Sequence, residues 1–248
     1  MYKLSIIIPV LNSSEILRRQ FLHLEKIGIP DDTEIIIVDD GSDPPLEYKG
    51  SLPVRIHATH DTRPWTWALA RNAGVRLSEG EYVLMFDVDH IITKDVIDTA
   101  RTFDGVKMCC LREFGVLTEN GILTQNLDTL VEYGFSRERF KHRGVSLTAL
   151  PNNFAMRKDV YWELGGYRED LFTKPYPQGE DRLFKKEWYI WERKTGEHAH
   201  PYRPKIYMFP NGYLCGDKTV DFNPFGLFHT LSRANHSNYR YRTQEANK

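Results

Sequence analysis

The sequence predicts an α/β fold, a mostly parallel sheet flanked by helices, followed by a less regular second half. Three observations predict it. Four short apolar runs, at residues 4–8, 34–38, 54–58 and 82–86, have the length of buried strands. Segments with helical spacing lie between the first and second runs and between the third and fourth. Three of the runs lead directly into a proline or acidic turn, at Pro9, Asp39-Asp40 and Asp87-Val88-Asp89. Alternating strands and helices favour parallel strands joined by crossover helices.

Each element has its own signal. The first run is stopped by Pro9. Asn12 is placed to cap the next helix, with Glu15 in a capping-box position. Leu17, Phe21 and Leu24 recur at helical spacing, and Gly28 and Pro30 end the segment. Residues 35–37 are three consecutive isoleucines, a second buried strand. A helix is expected over 65–73, before Gly74 and the Ser78-Glu79-Gly80 turn. Beyond residue 110, short strands are expected at 145–150 and 153–156 around a turn, a chain break at Gly165-Gly166, a helix at 181–191 and a strand at 205–209. The polar stretch 236–248 reads as a tail. The expected organisation is one domain over 1–235, with a nucleotide-binding half at 1–110 and an acceptor-side half at 111–235.

Composition narrows the function. The chain of 248 residues is 41% hydrophobic, enough to bury one sizeable core. Its 33 basic and 34 acidic side chains nearly cancel, which gives no general attraction to nucleic acid or anionic membrane. Cys109, Cys110 and Cys215 have neither a metal-knuckle nor a disulfide-framework spacing. The first residues lack a secretory-signal pattern, and no apolar stretch approaches the roughly 20 residues of a membrane span. A cytoplasmic location, soluble or peripheral at a membrane, is expected.

The strand ends carry the chemistry. Asp87 and Asp89 can address one site while Val88 packs behind them, and two carboxylates suit Mg²⁺ or Mn²⁺. Asp39 and Asp40 can accept hydrogen bonds from a base or ribose, or close an Asx turn. Arg71 can face a phosphate or form a salt bridge. Glu180 and Asp181 precede an aromatic-rich helix, where a carboxylate can take a proton from a hydroxyl group or cap the helix. His229 offers an imidazole. Trp65 and Trp67 can line a sugar pocket or the core. The chain lacks the Gly-x-Gly-x-x-Gly dinucleotide loop and the lysine-containing phosphate loop. Ser42, His57 and Asp61 lack a nucleophile elbow.

Taken together, these segments resemble family-2 glycosyltransferases of the GT-A class. The resemblance rests on Ser5-Ile6-Ile7-Ile8-Pro9-Val10, Val38-Asp39-Asp40-Gly41-Ser42, Ala70-Arg71-Asn72-Ala73-Gly74 and Asp87-Val88-Asp89. It continues through Gly165-Gly166-Tyr167-Arg168 and Gly179-Glu180-Asp181, covering residues 4–191 in order and spacing. It implies a Rossmann-like GT-A sheet with an irregular C-terminal acceptor-side region. It further implies that Pro9, Asp39 and Asp40 line a base pocket and that Arg71 approaches the nucleotide. Asp87 would meet ribose or metal, Asp89 and His229 would bind Mn²⁺ or Mg²⁺, and Gly166 would lie near the transferred sugar. By the same resemblance Asp181 would be the general base of an inverting displacement, while neighbouring Glu180 is placed to orient the site or contact the acceptor. The implied donor is a nucleotide sugar, UDP-linked by preference, and the acceptor is a hydroxyl of unspecified class. The competing readings are a binding module without turnover and other metal-dependent nucleotide chemistry.

Overall fold

A computed structural model describes residues 2–61, 63, 66–147, 152–170 and 179–210, and the backbone of strands at 213–215, 218–219 and 229–232. The first half alternates as the apolar runs require. Strand β1 (Leu4–Val10) leads to helix α1 (Ser14–Ile27), β2 (Thr33–Asp39), β3 (Val54–Ala58), α2 (Trp67–Leu77) and β4 (Tyr82–Met85). These strands lie parallel in the order β3-β2-β1-β4. Every residue of β1, β2 and β4 is buried, which is why those runs are mostly apolar instead of alternating, the buried Ser5 hydroxyl donating to Glu34.

Beyond β4 come β5 (His90–Ile91), α3 (Lys94–Thr102), β6 (Lys107–Cys109), β7 (Leu111–Phe114), the hairpin strands β8 (Val116–Leu117) and β9 (Leu123–Thr124), and the short helices α4 (Leu127–Glu132) and α5 (Arg137–Arg143). Next are β10 (Ser146–Leu147), β11 (Phe154–Arg157), α6 (Lys158–Glu163), α7 (Glu180–Thr195) and β12 (Lys205–Met208). The backbone of β13 (Tyr213–Cys215), β14 (Lys218–Thr219) and β15 (His229–Ser232) forms a separate three-stranded sheet. Strand β11 enters the main sheet antiparallel between β4 and β6, giving six strands ordered β3-β2-β1-β4-β11-β6. A second sheet, β10-β7-β12-β5, stands beside it.

Four local expectations are corrected. Pro9 does not stop β1, which runs on to Val10. The Ile7 carbonyl accepts from Phe86 N–H and that of Val10 from Asp40 N–H, so Pro9 faces the side where β4 has already ended. Its missing donor therefore leaves no ladder bond unmade. Asn12 does not cap α1. With φ +48° it takes Asp43 N–H on Oδ1 and gives its own N–H to Ser42, while Glu15 pairs with Arg18 and Arg19. Helix α2 continues through Gly74, because a Cβ there would sit 2.4 Å from Ile7 Cγ2 and only glycine lets the helix rest this close on β1. The strands at 146–147 and 154–157 belong to different sheets and do not pair.

The amphipathic pattern of α1 is realised, with Ile16, Leu17, Phe21 and Leu24 packed into the core beside β1 and β2. A second core on the other face of the sheet joins Ile7, Val38, Val75 and Met85 to Phe154, Tyr161, Tyr167, Phe184 and Trp188. It binds α2, α6 and α7 to the same strands. Among the described residues no helix is long and apolar enough to cross a membrane.

Candidate active site

Parallel order brings the carboxyl ends of β2, β1 and β4 to one edge, with β1 at the point where the chain direction of winding reverses. Ligands gather in such a crevice. Asp39-Asp40 and Asp87 stand there, as expected from the strand ends. An open cavity of about 800 Å³ lies at the opposite ends of the strands, lined by Glu81, Asp104, Arg157, Lys158 and Trp162. It does not coincide with the acidic edge.

Asp39 is 2% exposed and closes the loop after β2: Oδ1 accepts Ser42 N–H at 2.8 Å and Oδ2 accepts Leu46 N–H at 3.0 Å. Asp40 accepts from the Thr59 hydroxyl at 3.1 Å and from the Thr66 hydroxyl. Thr66 is the N-cap of α2, so this contact places the amino end of the helix over the β2 turn. Pro9 is buried within β1, opposite Val38.

Helix α2 delivers Arg71 to the centre of the edge. Its guanidinium donates to Asp87 Oδ1 at 2.6 Å and to Glu180 Oε1 at 3.3 Å, and lies 5.1 Å from the Tyr167 ring centroid and 5.9 Å from that of Trp67. Burial opposes its charge, but Asp87 and Glu180 outweigh that and raise its pKa. Arg71 therefore stays cationic and joins the turn after β4 to the first turn of α7. Among the described residues, Nε of Arg71 is buried with no hydrogen-bond partner. Burial raises the pKa of Glu180, with Arg71 acting in the opposite direction.

One position along, Asn72 uses its whole amide. Oδ1 accepts from Tyr161 hydroxyl (2.5 Å) and Tyr167 N–H (3.0 Å), and Nδ2 donates to Tyr167 carbonyl (2.8 Å) and Glu169 Oε1 (2.7 Å). Gly166 sits against it with φ +64°, and a Cβ would approach Asn72 Oδ1 to 2.8 Å. The separated Ala-Arg-Asn and Gly-Gly-Tyr segments are thus one packing unit.

Asp87, Asp89 and His90 each offer a ligand atom within 4.8 Å of the others. Asp89 is 5% exposed and His90 2%. His90 was missed by the sequence reading; its signal was an imidazole immediately after the paired acids. Asn153, 2% exposed, was missed too, and its Oδ1 accepts Asp87 N–H at 3.4 Å. Asp181 does not cap α7, since Gly179 holds the N-cap in a left-handed conformation. It lies in the first turn, with Oδ1 accepting Arg182 N–H at 2.8 Å. The backbone of His229 lies in β15 beside Tyr213, and its side chain lies outside the described residues, as does Trp65.

Comparison with known proteins agrees with this architecture. Residues 5–165 match the family described as glycosyl transferase family 2. The poly(ribitol-phosphate) beta-N-acetylglucosaminyltransferase TarS of Staphylococcus aureus (strain MW2) is 30% identical over 221 residues, covering 80% of this chain and 37% of TarS. This chain therefore spans a little over a third of that relative's length. The structure of S. aureus TarS 1–349 with UDP-GlcNAc superposes with a TM-score of 0.54 at 19% identity, covering 83% of this chain and 58% of the other. The mannosyltransferase PcManGT from Pyrobaculum calidifontis, in complex with GDP-Man and Mn²⁺, gives 0.50 at 15% identity, covering 99% and 62%. With a family match that takes in β1, the acidic turns after β2 and β4, and the chain up to Gly165, this protein belongs to glycosyl transferase family 2.

Proposed function

We propose that this chain transfers a sugar from a nucleoside-diphosphate donor, UDP-linked, to a hydroxyl acceptor by a single inverting displacement. The observation that carries the reading is the Arg71 bridge, which sets the Asp87-Asp89 turn beside the first turn of α7. A donor held at the acidic edge would then have its sugar facing the carboxylates of that helix. Identity to TarS favours UDP, while the same fold with GDP-Man in PcManGT shows that the fold alone does not set the base.

Two carboxylates on one turn fit a hard divalent cation such as Mn²⁺ or Mg²⁺, and PcManGT binds its donor with Mn²⁺. Asp87 and Asp89 would hold it, with His229 as a further ligand. Bound there, the ion would supply Lewis-acid neutralisation of the departing diphosphate. Pro9, Asp39 and Asp40 would border the base and ribose, Arg71 would add positive charge beside the diphosphate, and Gly166 would leave room for the sugar. We assign the proton-accepting role to Asp181. Glu180 is committed to Arg71, and burial favours its protonated form, whereas Asp181 pairs with no cation among the described residues. Glu180 would contact the acceptor.

Asp181→Asn keeps size and hydrogen bonding but removes the base. Donor affinity should stay within about twofold, while transfer slows on the order of 10²-fold or more. Rates and the anomeric configuration of the product, read by NMR, decide the matter. Full activity of this variant would reject the base assignment, and retained configuration would reject single displacement.

A further inference from the structure

His90 lies within reach of the paired carboxylates, yet both of its ring nitrogens are already engaged. Nδ1 is 2.7 Å from Asp89 Oδ1, and Nε2 is 3.2 Å from a terminal nitrogen of Arg112. A guanidinium offers only N–H donors. Nε2 must therefore accept, which leaves the ring proton on Nδ1 to be donated to Asp89. The tautomer follows from the partner.

The surroundings hold this arrangement from several sides. Arg112 is 8% exposed on β7, opposite Leu147 of β10 and Ile206 of β12. Burial lowers its pKa, and Asp89 and Asp87 act in the opposite direction. His90 begins β5 and is opposed by Met208 of β12, whose sulfur also accepts from Arg112 at 3.6 Å. Gln20 of α1 donates to the backbone carbonyls of Val88 and His90. Backbone, ring and guanidinium of this turn are thus each fixed by a different element.

Resting on the metal reading above, we propose that His90 and Arg112 are positioning residues for Asp89 and that His90 is not itself a metal ligand. The chain Arg112–His90–Asp89 fixes the rotation of the carboxylate and commits Oδ1 to an N–H donor. For Nε2 to bind a cation, the imidazole would have to leave a buried guanidinium. Outer partners of this kind orient a ligand and typically govern metal affinity by 10–100-fold.

The test is Mn²⁺ titration by calorimetry in the presence of UDP, with pulsed EPR reading nitrogen coupling to the bound ion. Circular dichroism and thermal unfolding establish that each variant is folded. In H90Q the amide can still donate to Asp89 and accept from Arg112. Its Mn²⁺ affinity should stay within about threefold of the parent, with the nitrogen couplings unchanged. H90A should lose about 10–100-fold. R112M should also weaken Mn²⁺ binding, although removing a nearby cation would by charge alone tighten it. Loss of a nitrogen coupling in H90Q, with an affinity as poor as that of H90A, would make His90 a direct ligand and overturn the proposal. So would a folded H90A with parental affinity, or tighter binding in R112M. Absence of Mn²⁺ binding by the parent protein would instead bring down the metal reading and this one together.

Discussion

At the scale of single residues, the site is organised by side chains that hold partners from distant segments of the chain. Asn72 is the clearest case, since two donors and two acceptor positions are matched by Tyr161, Tyr167 and Glu169. Asn72→Ala would strand the buried Tyr161 hydroxyl and Tyr167 N–H, each costing about 1–3 kcal/mol. A total loss of roughly 3 kcal/mol is expected in urea unfolding, and a change below about 1 kcal/mol would show that the loop at Gly166 holds without it. The acids at Asp39, Asp40, Asp87 and Asp89 were legible in the sequence because each follows an apolar run that could only be a strand. Their partners were not. Arg71 and Glu180 are brought together from positions far apart in the chain, and the identity of an ion-pair partner depends on tertiary packing that no local pattern encodes. His90 adjoins the paired acids, but its partner Arg112 stands two strands away in the same sheet, on β7 across β12, and no local pattern announces that pairing.

At the scale of elements, the strands and the apolar faces of the helices were legible, and their ends were not. Gly74 reads as a stop by propensity, but contact with β1 overrides that preference. Gly74→Ala is expected to destabilise by about 1–3 kcal/mol through overpacking against Ile7 and Val38, measured by chemical denaturation. Gain of stability, the usual result of replacing an exposed helical glycine, would contradict the packing account. Helix α7 rests on β6 through Lys107, whose Nζ lies 4.6 Å from the Trp188 ring centroid and 5.2 Å from that of Phe154. Burial lowers the pKa of this lysine from 10.5 to about 8, with Cys109 and Glu192 acting in the opposite direction. Between those two values the unfolded chain binds more protons than the folded one, so stability from this group rises with pH from about 8 towards 10.5 and is flat below. Lys107→Met should remove that rise, on the order of 1–3 kcal/mol, in a series of urea midpoints at increasing pH. Parallel profiles for the two proteins would show that Lys107 does not titrate in this window.

At the scale of the whole molecule, the sheet gathers the candidate donor site at one edge and the two cores fasten the helices around it. A ligand that binds only this assembled edge must stabilise the entire fold. At 100 times its dissociation constant it would contribute about 2.7 kcal/mol, which for a chain of this size raises Tm by roughly 5–10 °C. UDP with Mn²⁺ is expected to do so and GDP with Mn²⁺ to do so less, while UDP without metal has little effect. Equal shifts for both nucleotides would remove the base preference. The later strands were the least legible part of the chain, because two- to four-residue strands carry little periodicity and their partners are remote.

The position of β11 has a bearing on how the chain is born. When Met85 leaves the ribosome, the strands β3-β2-β1-β4 can already align, but the free edge of β4 must wait for Phe154 before it is covered. Strand β6 emerges earlier and has no place in the sheet until β11 arrives between them. At ordinary elongation rates of about 5–20 residues per second, the nascent chain carries the open edge Tyr82-Val83-Leu84-Met85 for several seconds. Such an edge is a template for pairing with another chain. Chains stalled after Met85 has emerged and before Phe154 has done so should therefore depend on chaperones, whereas release of that dependence should coincide with the emergence of Phe154–Arg157.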